Sequence, residues 1–355
     1  MSRSCISICA GLLYLYAAVL SAAPSVTSVQ WVNDTSFRVS GGSFGIKVPA
    51  EPEYWADFET TDKPIPPGLN VSWPKLDESQ GVRATSVRRG KNTGVLRGDV
   101  SIDEGAKGPL ISKFVHDQWY IFYKRYYDFD ISVDGGVIGF NLKTNRMWSD
   151  FFGGGAPWGN NIYIGYQGAE GINSGRTFNE YTNVQGATRG FSFYPRVWHT
   201  DQIVYKTSDL DVQNGIFSYV RDGVSVWSEN RRWRTNDSER PNKYNQIVFD
   251  QVSNGTGSGP LYIYYDDIYI DKTWARVMLC ESQTWAECKQ HEIQIPVVWS
   301  DKEITLNVNF GDLNPDVSAY VYVVDESGAV NQNGVKLPCI TCAPFAIGAG
   351  KFTVE

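Results

Sequence analysis

The stretch Trp198 to Trp227, WHTDQIVYKTSDLDVQNGIFSYVRDGVSVW, decides how the rest of the chain is read. Three short runs in it are rich in Ile, Val, Tyr, Phe and Trp: Gln202 to Lys206, Ile216 to Arg221 and Val224 to Trp227. Such residues suit the pleated, half-buried surface of a sheet, so each run is expected to form a strand. Asn214-Gly215 and Asp222-Gly223 separate the runs. Both dipeptides tolerate positive φ and suit the tight primed turns of hairpins. The stretch is therefore expected to be an antiparallel meander.

Working outward, the same signals recur along the 355 residues. Trp119 to Phe129, Val137 to Trp148, Asn161 to Gln167, Gly190 to Tyr194 and Gln246 to Gln251 are further strand candidates, with a glycine-rich loop at 151 to 159. Helical periodicity is scarce, glycine is abundant, and no internal repeat stands out, so the chain reads as all-β.

The order W-H, N-G, strand, D-G, strand, W resembles the middle of the concanavalin A-like jelly rolls. It is most similar to the branch that holds the alginate, glucuronan and heparin-type polysaccharide lyases. A second resemblance lies at the two ends of the chain. Ser25 to Lys47, closing in S-G-G-S-F-G, resembles the opening of an IPT/TIG immunoglobulin-like domain. Glu292 to Val324, with W-S-D-x-x-I-T and then Y-V-Y-V-V, resembles its second half. The implied fold is a concanavalin-like jelly-roll β-sandwich plus a small immunoglobulin-like β domain. The expected boundaries are a signal peptide over 1–23, a discontinuous immunoglobulin-like domain from 24–48 and 276–340, the jelly roll over 53–275, and a tail over 341–355. Trp55 to Glu59 and Tyr262 to Asp271 are expected to pair as first and last strands of the jelly roll. Insertion is tolerated when the ends of the inserted unit lie close together.

The leader reading rests on Arg3, the apolar run Cys5 to Leu20 and the small residues Ser21-Ala22-Ala23. The run falls short of the roughly 20 residues of a membrane span, so a secreted, periplasmic or cell-surface protein without a membrane span is expected. Beyond this leader stand 31 basic and 39 acidic residues, a net charge of −8. That balance speaks against nucleic acid, which calls for a basic footprint. Two basic clusters break the pattern: Arg83, Arg88, Arg89, Lys91 and Arg97, and Arg231, Arg232, Arg234, Arg240 and Lys243. They suit either a solvated face or a polyanionic partner, here an anionic polysaccharide. Cys280, Cys288, Cys339 and Cys342 follow the leader, an even count that in an exported chain suggests two disulfides.

A sugar groove needs aromatic faces and hydrogen-bonding side chains. The chain has 12 Trp and 20 Tyr; most belong to a core, while Trp148, Trp158 and Trp233 neighbour loops and charges. The E-x-D-x-x-E strand of the laminarinase-type hydrolases is absent. The spaced pairs Asp128/Asp130 and Glu51/Glu53 lack its flanks. Asp266, Asp267 and Asp271 suit strand caps or a structural calcium ion. A lyase instead needs a group to neutralise the uronate carboxylate, a base for the C5 proton and an acid for the leaving O4. His199 is the favoured histidine, His291 being read as structural. The resemblance to the lyases places a lysine-bearing strand after the aromatic one, here with Lys143 and Arg146, although the family's G-G-K-L-P-G loop is absent. Tyr166 completes the catalytic candidates. Tyr163, Gln167, Trp148, Trp158, Arg232 and Trp233 are the candidates for binding substrate. The leading expectation is a polysaccharide lyase cleaving a uronate-containing polymer by β-elimination. The alternatives are a non-catalytic carbohydrate-binding or adhesion protein and, third, a glycoside hydrolase.

Four N-x-S/T sequons begin at Asn33, Asn70, Asn236 and Asn254, and would carry glycans only in a eukaryote.

Overall fold

A computed structural model describes residues 22–59, 70–72, 95–99, 110–112, 116–134, 141–148, 161–167, 173–179, 184–190, 194–232, 246–253, 259–314 and 318–339. Most of the expected leader, the loop with Trp158, Trp233, Cys342 and the expected tail lie outside them, as do Arg83, Arg88, Arg89, Lys91, Arg234, Arg240 and Lys243.

The chain is all-β. It opens with β1 (Ser25–Asn33) and β2 (Ser36–Gly42). Four short strands follow: β3 (Tyr54–Ala56), β4 (Asn70–Ser72), β5 (Leu96–Asp99) and β6 (Leu110–Ser112). Then come β7 (Gln118–Tyr127), a single helical turn at Ile131–Asp134, β8 (Asn141–Trp148), β9 (Asn161–Gln167), β10 (Asn173–Asn179) and β11 (Val184–Gly190). The meander supplies β12 (His199–Lys206), β13 (Gly215–Arg221) and β14 (Val224–Arg231). The last long strands are β15 (Gln246–Ser253) and β16 (Tyr262–Asp271). Six strands close the chain: β17 (Arg276–Cys280), β18 (His291–Ile293), β19 (Ile295–Trp299), β20 (Glu303–Asn307), β21 (Tyr320–Val324) and β22 (Val335–Lys336).

Two large antiparallel sheets form the jelly-roll sandwich. One has the order β14-β13-β12-β7-β16-β3, with β5 also on β16; the other has the order β11-β10-β9-β8-β15-β6-β4. Trp119, Ile121, Tyr123, Ile203, Tyr205, Phe217 and Tyr219 from the first meet Met147, Ile164, Ile247 and Phe249 from the second in one core. Tyr54–Ala56 pairs with Ile268–Ile270, so the first and last strands of the sandwich are neighbours.

Two four-stranded sheets, β1-β2-β20-β19 and β18-β17-β21-β22, make a smaller immunoglobulin-like sandwich. Its core joins Phe37 and Val39 from the start of the chain to Val277, Leu279, Ile304, Val321 and Val323 from the end. The glycine turn and the W-S-D turn interlock. Gly41 N–H donates to Lys302 O (3.0 Å), Phe44 N–H to Asp301 O (3.1 Å) and Trp299 Nε1–H to Phe44 O (3.2 Å). A Cβ on Gly41 would fall 1.9 Å from Ser25 O, so only glycine allows this approach.

The local expectations hold unevenly. Asp222 (φ 49°) and Gly223 (φ 72°) make the tight β13–β14 turn. Asn214-Gly215 does not make one. Lys206 and Ile216 are the last pair joining β12 to β13, and residues 207–214 form a longer loop. Asn214 staples it, with Oδ1 accepting from Asp209 N–H (2.8 Å) and Nδ2 donating to Asp209 Oδ2 (2.7 Å). Of the strand expected over 190–194, residues 191–193 lie outside the described residues; Gly190 ends the strand Val184–Gly190, and Tyr194 is exposed.

Candidate functional site

The outer faces of the two large sheets differ in what covers them. β7 alternates between two dry surroundings: Trp119, Ile121 and Tyr123 enter the sandwich, while Tyr120 and Phe122 point the other way. There they pack with Tyr269 against Met278, Ile293, Tyr322 and Val324 of the smaller sandwich. Lys124 Nζ completes the seam, donating to Glu292 Oε1 (2.8 Å), Thr200 Oγ1 (2.8 Å) and His291 O (3.2 Å). Arg276 lies 4.0 Å from the centre of the Tyr120 ring. This face is closed to a polymer.

The sheet that carries β8 and β9 has one face in the core, marked by Met147, Ile164, Ile247 and Phe249. Its register sorts the other candidates. Arg146 pairs with Tyr163, Trp148 with Asn161, Lys143 with Gly165 and Asn141 with Gln167. Tyr163 and Gln167 have the strand parity opposite to buried Ile164. Tyr166 has the parity of Ile164 and pairs with Leu142.

A bulge is decisive here. The register shifts between Lys143 and Asn145, where Thr144 is buried; its carbonyl accepts from Tyr265 Oη–H (2.8 Å) and its hydroxyl bonds the Tyr127 hydroxyl. One extra residue reverses the alternation. Lys143 and Arg146, three positions apart, thereby pair with Gly165 and Tyr163, two positions apart. The next strand adds a residue the sequence reading missed: Arg176 pairs with Tyr163 from the other side. Arg146, Tyr163 and Arg176 form one cross-strand row over β8, β9 and β10. β10 reads NSGRTFN, with no run of β-branched residues to announce a strand, so only the pairing reveals Arg176.

His199 is placed elsewhere, at the start of β12 on the other sheet. It is buried, and both ring nitrogens are engaged: Nδ1 with Asp222 Oδ2 (2.7 Å) and Nε2 with Tyr194 O (3.1 Å). Burial pushes the Asp222 carboxyl up, but the hydrogen bond and charge of His199 and the Thr200 N–H hold it below the usual carboxylate range. The pair pins the β13–β14 turn to the start of β12. Arg232 is exposed beside Asp211 (3.5 Å), at the end of β14.

The acidic pairs have structural partners. Asp128 Oδ1 accepts from Tyr262 N–H (2.8 Å), and Glu53 pairs with Lys272 (2.7 Å). Asp271 pairs with Lys47, and Asp266 accepts from Asp267 N–H (2.9 Å). Among the described residues the one group with metal-like spacing is Cys280, Glu281 and Cys288. Those cysteines form a disulfide with Cα atoms 5.9 Å apart, which takes their sulfurs out of ligation. Cys339 is disulfide-bonded as well.

No family model matches the sequence, and no curated protein matches it. Solved structures do. The alginate lyase Aly36B is similar at 17% identity over 57% of this chain and 86% of that one, with a TM-score of 0.40. The endo-β-1,4-glucuronan lyase of the fungus Trichoderma reesei is similar at 14% identity over 63% of this chain and 92% of that one, with a TM-score of 0.38. The receptor-binding domain of botulinum neurotoxin type G is similar at 8% identity over 72% of this chain and 67% of that one, with a TM-score of 0.35. Among the described residues, no helix is long and apolar enough to cross a membrane.

Proposed function

We propose that this chain is an exported polysaccharide lyase acting on a uronate-containing polymer, with its jelly roll inserted in an IPT/TIG-like domain. The observation that carries the reading is the cross-strand register Arg146–Tyr163–Arg176, with Lys143 opposite Gly165, on the large sheet that, among the described residues, adds none to the seam with the smaller sandwich. The arginines of the row neutralise the uronate carboxylate, which acidifies the C5 proton. Of Tyr163 and Lys143, one takes that proton and the other protonates the leaving O4. The C5–H electron pair becomes the C4=C5 bond as the C4–O4 bond breaks. Gln167, opposite Asn141, and Trp148, at the end of β8, extend the row along the polymer. In this reading Tyr163 takes the role expected of Tyr166, and His199 is a positioning residue.

The test is ultraviolet absorbance of the conjugated unsaturated uronate while the protein meets alginate, glucuronan, ulvan and glycosaminoglycans. A rise that falls by about 10²-fold or more in Arg146→Ala, Tyr163→Phe or Lys143→Ala, with His199→Gln far less affected, supports the assignment. One observation favours a second reading, a non-catalytic binding protein: the favoured histidine has both nitrogens engaged. A flat trace with retention on one of these polymers in an affinity gel would establish that reading instead.

A further inference from the structure

A cavity of about 460 Å³ opens at the junction of the two sandwiches, away from the Arg146–Tyr163–Arg176 row. The large sandwich contributes Trp55, Asp57, Glu59 and Asp267 to its wall, and the segment after β20 contributes Asn309 and Phe310. The volume lies in the range of roughly 300–1,000 Å³ typical of small-molecule sites, which favour such junctions.

The walls are built before any ligand arrives. Asn309 N–H donates to Gln294 Oε1 (3.0 Å), and Gln294 Nε2 returns a bond to Asn309 O (2.7 Å). Asn309 Oδ1 accepts from Gly311 N–H (3.0 Å), while its Nδ2 donates to Asp267 Oδ2 (3.0 Å). The Trp55 ring, also in the wall, meets Tyr269 edge-on, with centres 6.5 Å apart. Half-buried Asp57 accepts from Glu59 N–H (3.1 Å).

The chemistry of the lining selects the ligand. Three carboxylates face one cavity, which repels a uronate polymer and favours a cation. A compact metal ion is not the match, because Asp57, Glu59 and Asp267 do not converge closely enough to share one. A larger cation can reach all three walls and lay its body on an aromatic ring. Asn307, exposed at the wall, and Trp55 add what a sugar needs: an amide for its hydroxyls and a flat face for its C–H surface. We propose that this cavity binds a monosaccharide-sized cation, a sugar bearing a primary amine, with Asp57 and Glu59 meeting the ammonium and Trp55 stacking on the ring. The state of Asp57 agrees: burial pushes its carboxyl up and the Glu59 N–H pulls it back, while Asp267 and Glu59 push it further up, a strain that a bound ammonium would relieve.

The test is calorimetric titration of the full chain at neutral pH with D-glucosamine, and with glucose and N-acetylglucosamine as neutral analogues. Glucosamine is expected to bind at least about tenfold tighter than either analogue. Asp57→Asn and Glu59→Gln should each weaken it by about fivefold to tenfold, and Trp55→Ala should weaken all three sugars together. Circular dichroism checks that each variant is folded. No binding of glucosamine, equal binding of the neutral sugars, or unchanged affinity in both carboxylate variants would overturn the proposal. Lyase activity is read on separate residues, so its failure leaves this result intact.

Discussion

Between the two large sheets, Trp119, Ile121, Tyr123, Ile203 and Tyr205 meet Met147, Ile164, Ile247 and Phe249. Across the seam behind the same strands, Tyr120 and Phe122 meet Met278, Ile293 and Tyr322. Both regions are dry, but charge is distributed differently. The interior holds Arg125 and Asp201 (2.7 Å) on neighbouring strands of one sheet. In the seam, charges from distant parts of the chain meet: Lys124 with Glu292 (2.8 Å), and Lys47 with Asp271. Burial pulls the Lys47 ammonium down and pushes the Asp271 carboxyl up, and each partly offsets this in the other. In the interior, the alternation that places the apolar residues also sets Arg125 and Asp201 on adjoining strands of one sheet. The seam in addition needs particular charged residues to find each other, because a buried charge without its partner is costly.

The largest expected effect tests that difference directly. Lys124→Ala leaves the Glu292 carboxylate buried without this cation and should cost about 3–5 kcal/mol in denaturant unfolding. Ile203→Val, in the interior, should cost only about 0.5–1.5 kcal/mol. Replacing the pair together, Lys124→Met with Glu292→Leu, should recover most of the loss. Equal costs for the two single variants would break the comparison.

A smaller effect depends on pH. His291 is buried in the seam, with the Trp285 ring tilted against its own (centres 4.7 Å apart) and Gln202 Nε2 3.3 Å from its Nδ1. Burial, then the charges of Arg276 and Lys124, hold its pKa down to about 3. The folded protein therefore keeps the imidazole neutral where the unfolded chain binds a proton. The stability this neutral ring contributes is complete above the ordinary histidine pKa and is lost as pH falls from there toward 3. The expected slope is up to about 1.4 kcal/mol per pH unit. Unfolding curves of the wild type and His291→Gln at several pH values isolate it; parallel curves would mean that His291 does not sharpen the contrast.

The smallest effect concerns the contact between the β13–β14 turn and the disulfide loop. Gly223 has φ +72°, and a Cβ there would fall 2.3 Å from Cys288 O. Gly223→Ala should cost about 1–2 kcal/mol. Thermal unfolding reads it, and a shift no larger than that of an exposed substitution would show that the turn stands off from the loop.

These two regions also mark how far the sequence could be read. β12, β13 and β14 were legible because their signals are local: β-branched and aromatic runs, and an Asp-Gly that takes positive φ. Asn214-Gly215 carries the same signal yet sits in a longer loop, since its asparagine bonds Asp209 instead. Of the candidate site, Lys143, Arg146 and Tyr163 were named, but their register depends on a bulge at Thr144 that no alternation rule locates. Arg176 lay in an unmarked strand, and the favoured histidine proved to be held by Asp222 and Tyr194. The acids Asp57 and Glu59 were quoted only as part of a strand. What makes them a site is Asn309 and Phe310, brought to the same cavity from some 250 residues away.

The sequence by itself determined the all-β class and much of the meander, because turn chemistry and strand preference act over a few residues. Tertiary structure alone decided what each face of β7 packs against. The aromatic run of β7 is continuous, so its pattern cannot say that Trp119 and Tyr120 serve two different cores. That follows only when the small sandwich, built from both ends of the chain, closes over the Tyr120 face of β7.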